Sequence, residues 1–284
     1  LISLAIWPFS LIWGLFFFLL SIFYYLKFKD HLNFNKSSII LLNVIFAAYI
    51  YPAFSVFYLF YFLEILKKIK KLDCFKLLLF SFLLSIPCII YLASKDLNTT
   101  FTTSQGIQGA SLSQSLNISN KIIIISSMFL YFILPVINFK EIFLKFKKIS
   151  FIKIIFIIFF FLANIYFFNF PHEKWGGGFF HKVSNILFEN NYLFFFSALF
   201  SILIIYILIE KKFQNYLLLI ILILYNPQLT IYIKYFDPLI FIIFLTLFDF
   251  NFKKHFINKS YKYYQFYGVI LFYYIGVYSK KIFF

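Results

Sequence analysis

Apolar runs separated by short lysine-bearing turns set the rhythm of the chain. They fall at about Ile2–Leu26, Ile39–Leu63, Phe75–Ala93, Ile122–Phe139, Ile152–Phe170, Tyr192–Ile209, Tyr216–Tyr225, Leu239–Phe248 and Tyr263–Tyr278. A helix of roughly 20 apolar residues crosses a hydrocarbon core about 30 Å thick, and several of these runs have that length. The pattern predicts an all-α fold, a polytopic transmembrane helix bundle of about nine spans, with eight to ten as the range. The range comes from Ile39–Leu63, which Pro52 interrupts, and from the two short runs on either side of Asn226–Pro238. No internal repeat and no Gly/Ser linker divides the chain, so residues 1–284 read as a single integral membrane domain.

The lysines orient the spans, because cytoplasmic loops carry the excess of Lys and Arg. Loop Glu64–Lys76 holds five lysines against two carboxylates, Phe139–Lys153 five against one, and Asp249–Lys262 four against one. The tight turn Glu210–Asn215 is weakly positive, and the loops between these are nearly neutral. The two sets alternate across nine spans with one exception. Lys27–Ser38, with three lysines against Asp30, falls on the outer side in this scheme. A second segment that dips in and returns at Tyr51–Pro52 would change that assignment.

Composition agrees with the pattern and narrows the source. The chain is 63% hydrophobic and 13% charged, where a soluble domain is about 45–50% apolar and about 25% charged. All 26 basic residues are lysine, and Phe (48) and Tyr (22) far exceed Gly (8) and Pro (7). AT-rich codons favour this set, so a bacterial inner membrane in an AT-rich organism is expected, and aromatic stripes read first as lipid-facing or packing rings. The net charge of +16 sits in the loops and is no nucleic-acid footprint; membrane lipids are the expected partners. Cys74 and Cys88 lie among apolar residues and read as small buried hydrophobes. The chain opens at Leu1 inside an apolar run, as expected of a piece lacking its original N-terminus.

Chemistry is expected on the outer face, in three longer polar loops. Residues 94–120 carry the Ser/Thr/Gln-rich stretch TTFTTSQGIQGASLSQSLNISN, whose small neutral donors suit hydroxyl-bearing ligands. Residues 169–191 gather His172, Glu173, Lys174, Trp175, Gly176, Gly177, Gly178, His181 and Lys182. Three adjacent glycines let backbone amides approach a ligand and form an anion-binding concavity. A helix expected over Val183–Phe188 would aim further amides at them. On that reading His172, Lys174, His181 and Lys182 are cationic partners of a phosphate and Glu173 is a base. A tight interfacial turn anchored by Trp175 is the competing reading. Residues 225–238, reading YNPQLTIYIKYFDP, add Gln228, Lys234 and Asp237 between apolar spans. Irregular backbone at that depth is tolerated only when buried or lining a wet cavity, and ionisable groups there mark functional sites.

The glycines are not followed by Gly-Lys-Ser/Thr, so the phosphate loop of nucleotide-binding proteins is ruled out. His172 and His181 do not have the i, i+4 spacing of a helical zinc pair. The pattern calls for no cofactor and argues poorly for a metal.

Outer-face loops on a multi-span chain, Tyr51-Pro52 in the second segment and the late NPQ…YIKYFDP segment together resemble GT-C-type membrane glycosyltransferases. The likeness is architectural over most of the chain and local only in Tyr225–Pro238 and the glycine loop. It implies a glycosyltransferase that moves a sugar from a polyprenyl-phosphate donor at the extracytoplasmic face, with a carboxylate base and cations or amides on the departing phosphate. Where the family carries an acidic motif after its first span, this chain has only Asp30-His31. A surface-polysaccharide polymerase or ligase would share this chemistry. A transporter or flippase of lipid-linked or anionic solutes would instead show mid-span charge and broken helices.

Overall fold

A computed structural model describes residues 2–93, 117–134, 139–170, 176–225 and 238–249, together with 231, 236, 268 and 271. Among the described residues the chain is helical and contains no β-strand. It forms two compact units, Leu1–Leu116 with Lys212–Leu229, and Asn117–Lys211 with Thr230–Phe284. Two helices have the length and apolarity to cross a membrane, over Leu11–Phe28 and Lys71–Ile90. The ninth apolar run, Tyr263–Tyr278, lies almost wholly outside the described residues.

The first unit holds α1 (Ile2–Phe28), α2 (Phe34–Ile50), a 3-10 turn (Pro52–Ser55), α3 (Val56–Leu66) and α4 (Lys71–Ala93). A further helix from later in the chain, Phe213–Leu224, completes it. The run Ile39–Leu63 is therefore not one straight span. Pro52 has no N–H for an α-helix and fixes φ, so α2 stops at Ile50 and the chain turns a corner. Contacts along α1 give the direction of α3. Gly14 faces Tyr51 and Phe54, the Phe18 ring lies 4.6 Å from Phe57, and the Tyr25 ring lies 5.4 Å from Tyr61. At the far end Lys68 Nζ donates to the Lys29 carbonyl at 2.8 Å. α3 thus runs parallel to α1, and α2–α3 is a hairpin returning to the end from which α2 began.

This hairpin removes the exception in the charge pattern. Lys27–Ser38 and Glu64–Lys76 lie at the same end of the unit, so the two lysine-bearing loops belong together. Gly14 is fifteen residues before Lys29, a helical rise of about 22 Å, so the corner reaches less than the full ~30 Å of a hydrocarbon core. The corner is packed with rings: Phe54 and Phe57 are fully buried and enclose Phe18 and Tyr225. Ser21, buried beside them, donates to its own helix at Phe18 O (2.6 Å) and lies 3.2 Å from the Tyr61 hydroxyl.

The second unit holds α5 (Ile118–Ile133), α6 (Phe139–Phe146), α7 (Phe151–Tyr166), α8 (Gly178–Phe188) and α9 (Tyr192–Leu208). With α10 assigned to Phe213–Leu224 in the first unit, α11 (Leu239–Thr246) is the last described helix here. α5 is its axis and packs against α7, α8, α9 and α11. At one end Glu210 N–H donates to Asp249 O at 3.3 Å. At another, α5 and the end of α7 are tied by asparagine side chains.

Polar side chains within these helices turn back on their own backbone. Ser81, Ser127, Ser197 and Thr246 donate to carbonyls three or four residues earlier, at 2.6–2.7 Å. Asn43 and Asn164 do the same at 2.8 Å. Meanwhile large rings point outward: Phe151, Phe156 and Phe159 on α7 are 71–75% exposed, and the apolar window of α4 is only 6% buried. Apolar faces of this size mark surfaces that contact a membrane or another protein.

Gly14 tests the corner. A Cβ there would sit 3.0 Å from both Phe54 Cε2 and Tyr51 Cβ. Gly14→Leu is expected to cost roughly 1–3 kcal/mol by overpacking, read as a lowered thermal midpoint in detergent. Gly268→Leu, where a Cβ meets nothing within 4 Å, leaves the midpoint unchanged.

Candidate functional site

The glycine run, the end of α7, the head of α5 and part of the Tyr225–Pro238 segment come together in the second unit. Asn117 is the N-cap of α5: its side-chain oxygen accepts from Asn120 N–H at 3.1 Å. Its amide nitrogen donates to Phe167 O at 3.1 Å. Asn120 then holds Asn169 with both ends of its amide, donating to Asn169 O (2.7 Å) and accepting from Asn169 N–H (2.8 Å). This clamp fixes the chain where it leaves α7 and enters the loop. Neither Asn117 nor Asn120 is among the residues singled out from the sequence, although Asn-x-x-Asn at the start of an apolar run is a helix-start signal.

The helix after the glycines begins earlier than Val183. α8 starts at Gly178, and Gly177 is its N-cap with φ 77°, flanked by Gly176 at φ 95° and Gly178 at φ 85°. The three successive positive φ values are why glycine occupies all three positions. Each is also pressed against a neighbour. A Cβ on Gly176 would lie 3.1 Å from Ile231 O, one on Gly178 3.0 Å from Met128 Cγ, and one on Gly177 would overlap the His181 imidazole. Gly177 N–H donates to Ile231 O at 3.0 Å. That amide is therefore occupied by backbone, so the open cradle expected of Gly176–Gly178 reduces to the first-turn amides of α8.

The Gly177–Ile231 bond joins the two segments that the sequence singled out separately. Their depth is equally informative. Gly178 meets Met128, ten residues into α5, a rise of about 15 Å from Ile118. The start of α8 thus folds back alongside α5.

His181 is the central side chain. It is 2% exposed and lies edge-on between Phe170 (5.5 Å) and Phe194 (5.0 Å). Its Nε2 lies 3.3 Å from the Asn185 amide nitrogen, and its Nδ1 is buried without a hydrogen-bond partner among the described residues. With Asn185 as donor, Nε2 accepts and the proton sits on Nδ1. Burial first, and the neighbouring Lys182 charge second, push its pKa down to about 4. Burial and the Lys182 charge both disfavour the imidazolium that the sequence reading places here. Lys182, on the next position of α8, is exposed. α8 closes through Ser184, which donates to Asn190 O (2.6 Å) and accepts from Phe194 N–H (3.3 Å).

His172, Glu173, Lys174, Trp175, Gln228, Lys234 and Asp237 lie outside the described residues, as does most of the 94–120 loop. Among the described residues no group of three His, Cys, Asp or Glu could hold a metal. Comparison of the chain with protein-family models, curated proteins and solved structures finds no match.

Two outcomes are expected. Gly177→Ala combines a left-handed φ with the imidazole overlap, and strain of that kind costs roughly 1–3 kcal/mol; the thermal midpoint measures it. The folded imidazole resists protonation that the unfolded one accepts near 6.5. Stability from His181 is thus complete above about 6.5 and falls as pH drops toward 4. His181→Phe flattens that part of the midpoint-versus-pH curve; an unchanged slope would sink the assignment.

Proposed function

We propose that the chain is a multi-pass inner-membrane protein of a bacterium that transfers a sugar from a polyprenyl-phosphate donor at the extracytoplasmic face. The observation that carries this reading is the Gly177–Ile231 junction seated against Met128. It joins both polar segments about 15 Å along α5 from Ile118, where on this reading a lipid-borne phosphate would arrive from the bilayer. Around it, the clamp of Asn120 on Asn169 and the aromatic walls of Phe170 and Phe194 give a rigid, low-dielectric setting. In such a setting hydrogen bonds to a departing phosphate strengthen. His181 Nδ1–H and the first-turn amides of α8 are the donors on hand, with Lys174 and Lys182 as cations and Glu173, assisted by His172, as the base on the acceptor hydroxyl. From Tyr225–Pro238, Gln228, Lys234 and Asp237 complete the substrate contacts.

The topology that goes with this has eight crossings and one hairpin, α2–α3, entering from the cytoplasmic side. Every loop pairing within a unit agrees with it. Lys29 meets Lys68 and Lys67 stacks on Phe213 (4.9 Å) among the lysine-bearing loops, and Glu210 meets Asp249 between two more. Asn120 meets Asn169, and Gly177 meets Ile231, among the neutral ones. With this hairpin, no lysine-rich loop remains on the outer face. α6, in a lysine-rich loop, has Lys147 over the Phe143 ring (4.8 Å), as suits a helix lying at the headgroups.

Two measurements test these readings. In sealed vesicles of a Cys-free background, Asp30→Cys and Lys70→Cys are both labelled from the cytoplasmic side by a membrane-impermeant maleimide; labelling from opposite sides breaks the topology. Radiolabelled sugar passes from a polyprenyl-phosphate donor to lipid or protein with the wild type, and Lys174→Ala, His181→Ala and Lys234→Ala each lower the rate tenfold or more. Full activity in all three removes the proposed site.

A further inference from the structure

The two lysine-bearing loops of the first unit meet at the turn between α1 and α2. Lys68 Nζ donates to Lys29 O at 2.8 Å, and Lys36 Nζ donates to His31 O at 3.1 Å. Two ammoniums from different parts of the chain thus close on one short stretch of backbone. A third joins them: Lys27 Nζ lies 5.6 Å from the centre of the Phe28 ring, and Lys36 Nζ lies 5.4 Å from the same centre. Part of this arrangement is local, because cations suit the carbonyls at the end of a helix. An ammonium carries three donors, however, and among the described residues the turn takes one from Lys36 and one from Lys68.

The charge gathered here is not balanced within the unit. The loops Lys27–Ser38 and Glu64–Lys76 hold eight lysines against three carboxylates, Asp30, Glu64 and Asp73. Among the described residues the single salt bridge is Lys67 with Glu64, at 2.5 Å, which leaves Lys27, Lys36 and Lys68 outside any ion pair. Lys27 and Lys68 are exposed and Lys36 is half-buried, so their remaining donors are open to an anion from outside the chain.

The place of the cluster selects the kind of anion. α1 and α4 are the two helices with the length and apolarity to cross a membrane. The cluster stands where α1 ends, and Lys68 is three residues before α4 begins. Exposed apolar side chains adjoin it on both helices: Phe23 and Leu26 on α1, Leu72 and Phe75 on α4. Lys27 Nζ lies 5.7 Å from the centre of the Phe23 ring, so charge and apolar surface are in direct contact. A soluble phosphate or a nucleic acid would meet the lysines and leave those side chains in water. A phospholipid covers both, its phosphate on the ammoniums and its acyl chains on the apolar side chains.

We propose that Lys27, Lys36 and Lys68 form a docking surface at the α1–α2 turn for the headgroup of an anionic phospholipid. The inference rests on the multi-pass membrane reading above and not on sugar transfer. The full chain is reconstituted in phosphatidylcholine nanodiscs, in matched discs where phosphatidylglycerol replaces part of that lipid, and in phosphatidylcholine discs with added inorganic phosphate. The wild-type thermal midpoint rises with phosphatidylglycerol, by an amount that shrinks as salt is added, and does not rise with inorganic phosphate.

The triple variant Lys27→Gln/Lys36→Gln/Lys68→Gln loses more than half of that rise. Lys147→Gln/Lys148→Gln/Lys153→Gln, which removes the same charge from the other unit, keeps it. Lys36 and Lys68 also hold backbone carbonyls, so Lys27→Gln alone stands in should the triple variant misfold, and it responds less than the wild type. A wild type indifferent to phosphatidylglycerol overturns the proposal, as does an equal rise with inorganic phosphate. A triple variant that responds as the wild type does, or an equal loss in the variant of the other unit, overturns it too. Indifference to phosphatidylglycerol while Asp30→Cys and Lys70→Cys are labelled from one side refutes this inference and leaves the membrane reading standing.

Discussion

A polar group that loses its water must find a partner within the chain, and this constraint runs through the described residues. Helices meet it for the backbone. The side chains meet it by turning inward: Ser81, Ser127, Ser197 and Thr246 bond to carbonyls of their own helix, and Asn43 and Asn164 do likewise. These bonds add little to tertiary packing. Their effect is to let helix surfaces behave as apolar, so that Phe151, Phe156 and Phe159 can face outward beside them.

Where the backbone leaves the helical state, the same constraint demands substitutes. The Tyr51–Ser55 corner is enclosed by Phe18, Phe54, Phe57 and Tyr225, and the bare Cα of Gly14 admits it to the side of α1. The glycine run in the other unit is a corner of a different kind. Its backbone adopts positive φ three times, and Ile231 O receives the Gly177 N–H. Asparagines do similar work at the end of α7, where Asn120 supplies both an acceptor and a donor to Asn169.

Against that background the groups left without partners become informative. His181 Nδ1 is polar, buried and close to a helix start, among described residues whose serines, threonines and asparagines mostly bond locally. Burial there disfavours the imidazolium, so the neutral ring is the cheaper form.

The helical class was legible in the sequence, because long apolar runs broken by short polar turns predict helices. Helical class, the lysine-bearing ends and the importance of Gly176–Gly178 follow from composition and spacing alone. The direction of α3 did not, since an apolar segment with a proline in it reads equally well as a kinked span or as a hairpin. Only the contacts of Gly14 and Lys29 with the chain some forty residues later decided it. The candidate site was half visible in the same way. The sequence marked two loops as polar, yet their joining at Gly177 and Ile231 and the burial of His181 and Lys121 all arise from packing between segments far apart in the chain. Local pattern determines which residues are expensive to bury; tertiary structure alone decides which of them are buried, and beside what.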